Sequence, residues 1–187
     1  MPGVERDRER LIELAHLIQE RNRVEAAMAA HIGRPAHSGH IGEFIASLVF
    51  DIELEQSATN KGSDGFFRSG PLADESVNIK FYPRHGGLLD INQDGIPDWF
   101  LVLGGPWTPA ITSRGSSSPW VIEHVFLFRS TELLAHLKER GVKIGVATSI
   151  IRRQWDAAEV YPREANDALP LEEAQRDMLG LFSGLSG

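Results

Sequence analysis

The sequence predicts a single α/β domain, in which segments with helical periodicity enclose a central series of short strands. Two observations carry this prediction: apolar residues recur every three or four positions near both ends, and short strand-like segments fill residues 58–128. The composition agrees, because 42% hydrophobic and 24% charged residues are ordinary values for a globular protein. A chain of 187 residues is also long enough to bury one core.

This domain is predicted to have three parts. They are an N-terminal helix and linker at residues 1–35, a core at 36–162 and a C-terminal helix at 163–187. No internal repeat or low-complexity tail interrupts them.

The helices are predicted from apolar stripes. In the first helix Leu11, Leu14 and Ile18 fall on one side. In the second helix Glu43 lies opposite the apolar face, beside small residues such as Ala46. That apolar face is predicted to consist of Ile41, Phe44, Ile45, Leu48 and Val49. The five predicted helices cover residues 6–30, about 41–53, 130–140, 150–160 and 167–183.

The strands are predicted from short apolar segments bounded by turn residues. They lie near Phe66 and Phe67 and at residues 76–83, 86–91, 98–103, 120–128 and 142–149. A long loop rich in Gly, Ser and Pro occupies residues 104–119, and loops of this length are often functional.

Composition excludes several classes of protein. The chain has no cysteine, so disulfides, zinc–thiolate sites and cysteine nucleophiles are absent. The charged N-terminus lacks the apolar core of a signal peptide, and no apolar segment is long enough to span a membrane. We therefore expect a cytoplasmic protein. A net charge of −7 argues against a passive nucleic-acid-binding protein, but it is compatible with a nuclease whose carboxylates hold a metal.

Four polar residues form the strongest candidate site. Side chains alternate along a strand, so Asn78 and Lys80 share one face of the segment 76–83 while its apolar residues face the other way. Asp64 on the preceding strand and Glu43 on the second helix could meet them. Such oxygen ligands and a lysine can hold a divalent cation beside a phosphate. The alternative is a set of unrelated polar residues on ordinary elements.

Three segments of the chain resemble the restriction-endonuclease-like PD-(D/E)xK superfamily. They are Gly39-His40-Ile41-Gly42-Glu43, Lys61-Gly62-Ser63-Asp64-Gly65 and Asn78-Ile79-Lys80. The resemblance covers residues 36–105 and is greatest to small domains with a Gly-Glu helix and an Asp…Gln-x-Lys core. It implies a mixed central sheet flanked by helices and hydrolysis of DNA that depends on Mg²⁺ or Mn²⁺, as in an endonuclease of restriction or defence type.

The resemblance also implies roles for individual residues. Glu43, Asp64 and Asn78 would bind the metal, and Lys80 would assist the attacking water. Asn78 departs from the family pattern, which usually has Glu or Asp and sometimes Gln at this position, and a neutral ligand should bind metal more weakly. The alternative function is therefore a catalytically degenerate nuclease fold used for binding or assembly. A homodimer is compatible with cleavage of both strands of a palindrome.

A second set of oxygen side chains resembles the first part of a calcium loop. Its members are Asp90, Asn92, Asp94 and Asp98, with Gly95 at the turn. Leu101 stands where an EF-hand has its bidentate Glu, so we favour a structural turn. Two alternatives are a calcium-stabilised module, and a loop in which Asp90 or Asp98 faces the same site as Lys80.

Basic residues near the first candidate site could contact DNA phosphates. They are Arg34, His37, His40, Lys61, Arg68, Arg84 and His85. The alternative is scattered charge that keeps the protein in solution.

Overall fold

The computed structural model describes residues 2–55, 62–107 and 119–184. In chain order the elements are α1 (Pro2–Ile32), α2 (Ser38–Val49), β1 (Ile52–Leu54), β2 (Gly65–Phe67), β3 (Ser76–Tyr82), β4 (Leu88–Leu89), β5 (Trp99–Gly104), β6 (His124–Arg129), α3 (Ser130–Glu139), β7 (Thr148–Ser149), α4 (Arg152–Ala158), β8 (Glu159–Tyr161) and α5 (Glu173–Gly180). Lys61, one of the basic residues predicted to contact DNA, lies outside the described residues.

A six-stranded mixed sheet forms the centre of the molecule, in the order β1-β2-β3-β5-β6-β8. The pair β3 and β5 is parallel, with Asn78 beside Phe100 and Lys80 beside Val102. The other neighbouring strands of this sheet are antiparallel. Strands β4 and β7 form a separate two-stranded sheet. The predicted mixed α/β sheet flanked by helices is therefore confirmed.

Each face of the sheet has its own apolar core. On one face, α2 and α5 cover β3 residues that include Val77, Ile79 and Phe81. On the other face, α3 and α4 cover Phe100 and Val102 of β5 together with residues of β6. The strands are apolar on both sides where both layers of helices cover them, which explains why every residue of β5 is buried.

The second helix ends earlier than predicted and buries only part of the predicted apolar face. It stops at Val49, and residues 52–54 form β1 instead of continuing the helix. Asp51 adopts φ 51°, a left-handed conformation that ends helices. The prediction of its apolar face is confirmed for Ile45 and Val49, which are buried, but Ala46 is also fully buried and Leu48 is 62% exposed.

Three of the predicted elements after residue 85 are shortened in the structure. The predicted strands at 86–91 and 142–149 are reduced to Leu88–Leu89 and Thr148–Ser149. Gly87 and Ala147 have positive φ values of 77° and 57°, which extended strands do not accept. The helix predicted at 150–160 ends at Ala158, since Glu159 is extended and begins β8.

The remaining boundaries differ in smaller ways. The strand predicted at 120–128 begins at His124, and the helix predicted at 167–183 covers Glu173–Gly180. The first helix is slightly longer than predicted, at Pro2–Ile32. Within the described ranges, no helix combines the length and apolar character needed to cross a membrane.

Candidate functional site

Strand β3 presents its residues as the sequence predicts. Val77, Ile79 and Phe81 enter the core under α2. Asn78 and Lys80 point to the opposite side, where the parallel register sets them beside Phe100 and Val102. Asn78 is buried and Lys80 is partly exposed, so the pair lies at the edge of a covered region.

Asp64 lies at the point where β2 separates from β3. Its backbone N–H donates to the carbonyl of Val77 at 2.8 Å. Its Oδ2 accepts a hydrogen bond from the backbone N–H of Ile79 at 2.6 Å, in place of a strand partner. These two hydrogen bonds, to Val77 and to Ile79, hold Asp64 alongside Asn78, which lies between those two residues in the strand.

Close packing of α2 on β3 brings Glu43 toward Asp64, from the sheet face opposite to Asn78 and Lys80. Gly42 lies against Phe81, and a Cβ atom at position 42 would be 2.6 Å from the Phe81 Cβ. The helix can approach the strand this closely because residue 42 has no side chain. Glu43 follows at the border of the buried face, with a side chain that is 17% exposed.

The charges of the neighbouring residues act on Asp64. Burial raises the pKa of the Asp64 carboxyl, and the Glu43 carboxylate raises it further. The Ile79 N–H, Lys80 and Arg34 each act to lower that pKa. Glu43, Lys80 and Arg34 therefore all lie close enough to Asp64 to affect its carboxyl.

Asn78 supplies a buried oxygen without a partner. Its Oδ1 has no hydrogen bond within the parts of the chain that the structure describes. Most buried polar atoms are hydrogen-bonded, so an orphaned amide oxygen is an observation that needs a cause. An amide oxygen is also a ligand that Mg²⁺ and Ca²⁺ accept.

The donor set fits a hard divalent cation only if Asn78 takes part. Glu43 and Asp64 offer carboxylate oxygens of a kind that Mg²⁺ prefers, and Asn78 would add the third oxygen. Among the described residues, no three His, Cys, Asp or Glu side chains are grouped to hold a metal. The amide is thus the residue on which a three-ligand site depends.

Arg34 makes a contact that the sequence did not predict. Its guanidinium forms a hydrogen-bonded ion pair with the Glu43 carboxylate. The loop that carries it is held to the start of α2, because the Pro35 carbonyl accepts from the His37 N–H and lies 2.8 Å from Nδ1 of His40. The sequence identified Arg34 only as one of several basic residues.

The oxygen side chains of the loop at residues 90–98 accept hydrogen bonds from backbone N–H groups in three different parts of the chain. Asp90 Oδ1 accepts from the Ala147 N–H at 2.7 Å, and Asn92 Oδ1 accepts from the Asp94 N–H at 3.0 Å. Asp98 Oδ2 accepts from the Ser76 N–H and hydroxyl, and these bonds lower the pKa of the Asp98 carboxyl. This geometry favours the structural-turn interpretation over a calcium loop.

The same loop packs against the segment that leads into Asp64. Gly62 has φ 117°, and a Cβ atom there would lie 1.9 Å from the Gly95 carbonyl oxygen. Only glycine permits both this backbone conformation and this approach. The turn at Gly95 therefore lies beside the candidate site, although its carboxylates are used elsewhere.

The other basic residues have different surroundings. Arg68 forms a surface ion pair with Asp51 at 3.7 Å, and Arg84 is exposed. His85 is only 1% exposed and is packed between aromatic rings, so it does not present its ring to a phosphate. His37 and His40 lie close together at the start of α2, with ring centroids 5.7 Å apart.

A buried acid on β8 was missed by sequence reasoning. Glu159 is fully buried, and its carboxylate lies 2.7 Å from Nδ1 of His124 and accepts from Arg163. Position 159 was assigned to a helix, so nothing in the predicted pattern placed it beside β6. The group connects β6 to the segment after β8.

Comparisons of the chain with models of protein families, with curated proteins and with solved structures give no match.

Proposed function

We propose that the chain is a metal-dependent DNA endonuclease with a restriction-endonuclease-like fold. The observation that carries this proposal is that the charges of Glu43 and Lys80 both act on the buried Asp64, next to Asn78, whose buried Oδ1 has no hydrogen bond among the described residues. The mixed sheet with helices on both faces supports the fold that the sequence resemblance implies.

Glu43, Asp64 and Asn78 would hold the cation, Mg²⁺ or Mn²⁺. When bound, it would polarise a phosphoryl oxygen and lower the pKa of a water molecule. The burial of Asp64 and the nearby Glu43 carboxylate make a site that favours added positive charge, since both raise the Asp64 pKa.

Lys80 would stabilise the negative charge that develops on the phosphate during cleavage. Its side chain is partly exposed, and its charge acts on Asp64. A positive charge directed at developing negative charge in a partly buried site is an effective form of transition-state stabilisation.

The test is DNA cleavage by wild type and Lys80→Ala. Duplex and single-stranded DNA would be incubated with the protein in Mg²⁺ and in Mn²⁺. We expect Lys80→Ala to reduce the cleavage rate by about 100-fold or more, the usual effect of removing one charge-stabilising group. Lys138→Ala, on the exposed side of α3, is the control and should cleave like wild type. Equal rates for wild type and Lys80→Ala would refute the role of Lys80.

A DNA-binding or assembly protein that has lost catalysis is the second candidate. It is favoured by the neutral side chain of Asn78 at a position where the resembled family usually carries an acid. Asn78→Glu restores that acid beside Asp64. If this variant folds and shows neither Mg²⁺ affinity nor cleavage, the non-catalytic function is the better explanation; a gain of either would argue for an enzyme.

A further inference from the structure

The position of Arg34 has a consequence for any cation at this site. Its guanidinium is hydrogen-bonded to the Glu43 carboxylate. One of the two acids that would have to bind the metal is therefore already paired with a positive side chain.

The contact is held in place from both sides. Glu43 is fixed by the close packing of Gly42 on Phe81. Arg34 follows Gly33, which has φ 70°, and precedes the turn in which the Pro35 carbonyl accepts from His37. The two side chains are 44% and 17% exposed, so water screens this pair less than it screens a fully exposed pair.

We infer that Arg34 is an internal counter-cation that competes with the divalent metal for Glu43 and so lowers the metal affinity of the site. This inference rests on the proposed metal site. A carboxylate oxygen that is hydrogen-bonded to a guanidinium must give up that bond before it can bind a cation. Two positive groups close to the same carboxylates also repel each other.

The chain offers a matched control for this competition. Arg68 forms an ion pair with Asp51 at 3.7 Å, with exposed fractions of 63% and 50%. It follows the end of β2 that is distant from Asp64. Arg34→Gln and Arg68→Gln remove the same charge from the protein, but only the first releases Glu43.

The experiment is calorimetric titration of Mg²⁺ into wild type, Arg34→Gln and Arg68→Gln. We expect Arg34→Gln to bind Mg²⁺ about tenfold more tightly than wild type, the ratio that corresponds to a hydrogen bond to a charged group of modest strength. Arg68→Gln should bind like wild type. Thermal unfolding gives a second reading, because Mg²⁺ should raise the melting temperature of Arg34→Gln more than that of wild type.

The outcomes separate this inference from the proposed function. Equal or weaker Mg²⁺ binding by Arg34→Gln, with measurable binding by wild type, overturns the competition but leaves the metal site. No Mg²⁺ binding by any folded variant overturns both. If Arg34→Gln does not fold, Arg34→Met removes the charge and keeps an unbranched side chain, and it should bind Mg²⁺ more tightly than wild type; unchanged affinity would overturn the competition.

Discussion

His85 is a histidine that the fold keeps in its neutral form. Burial lowers its pKa from 6.5 to about 4, and the nearby His124 and Arg152 act in the same direction. Its ring contacts Trp107 and Trp155, with centroids 4.3 and 4.1 Å away. Both ring nitrogens lack a hydrogen-bond partner among the described residues, so the fold provides no acceptor for an added proton.

The lowered pKa predicts a loss of stability in mild acid. The unfolded chain takes up a proton on His85 below pH 6.5, whereas the folded chain resists it until about pH 4. The stability that neutral His85 contributes is therefore fully present above pH 6.5, and it is lost as the pH falls from 6.5 to about 4. Across it the free energy of unfolding should fall by roughly 3 kcal/mol on account of this residue.

Urea unfolding at pH 7.5 and pH 4.5 measures this loss. His85→Phe has no ring proton to gain and should show a smaller fall in the free energy of unfolding than wild type. His136→Ala removes an exposed histidine on α3 and should keep the wild-type fall. The same fall in wild type and His85→Phe would show that the acid sensitivity comes from other groups.

For the candidate site, the sequence predicted correctly which way a side chain points only where the alternation of a strand determines it. Alternation along β3 placed Val77, Ile79 and Phe81 in the core and set Asn78 and Lys80 on the other face. The pairing of Arg34 with Glu43 was not predictable, because it depends on the path of a turn. The burial of Asn78 depends on elements from elsewhere in the chain.

At the scale of elements, the contact between α2 and β3 determines where Glu43 lies. A Cβ atom on Gly42 would be 2.6 Å from the Phe81 Cβ, closer than two such atoms can approach. A Cβ atom on Gly39, in the same helix, would meet no heavy atom within 4 Å. An alanine at position 39 therefore changes only helix propensity, whereas an alanine at position 42 changes both propensity and packing.

Gly42→Ala should destabilise the protein, whereas Gly39→Ala should not. The added methyl group forces α2 away from β3, and overpacking of this kind costs about 1–3 kcal/mol. Gly39→Ala gains helix propensity and should be neutral or slightly stabilising. Urea unfolding checks both, and Mg²⁺ titration should show weaker binding by Gly42→Ala because Glu43 moves with the helix. Equal stabilities of the two variants would contradict the close contact.

The longer elements were the easier ones to predict. The helix α1 and the strand β3 show periodic apolar residues, and β5 is a continuous apolar segment. Strands β1 and β8 have three residues each, and both were assigned to the ends of helices. They form because β2 and β6 offer them partners, and a pairing of this kind leaves no local periodic signal.

At the scale of the whole molecule, the N-terminal helix α1 is mostly exposed, whereas the C-terminal helix α5 packs against the core. Residues 5–24 of α1 are exposed along their whole length. Its last turn reaches α2, where the rings of His31 and Phe44 meet at 5.7 Å. In contrast, α5 buries Leu179 completely, and Gln175 donates to the Val49 carbonyl at 2.9 Å.

Removing the two helices should therefore have very different effects. Deletion of residues 2–24 takes away exposed surface and should shift the melting temperature by less than about 2 °C, which is under 1 kcal/mol for a chain of this size. Deletion of residues 172–187 uncovers the core under α2. The loss of Leu179 alone is comparable with a buried Leu→Ala change of about 2–5 kcal/mol.

Thermal unfolding followed by circular dichroism distinguishes these effects. The N-terminal deletion should lose helical signal but keep its cooperative transition, and the C-terminal deletion should melt far lower or not fold. Leu179→Ala, in the full chain, tests the same contact without truncation and should lower the melting temperature by several degrees. Leu17→Ala on exposed α1 is its matched control. A large drop for the N-terminal deletion would mean that α1 is covered in solution, because surface that is already exposed contributes little to stability.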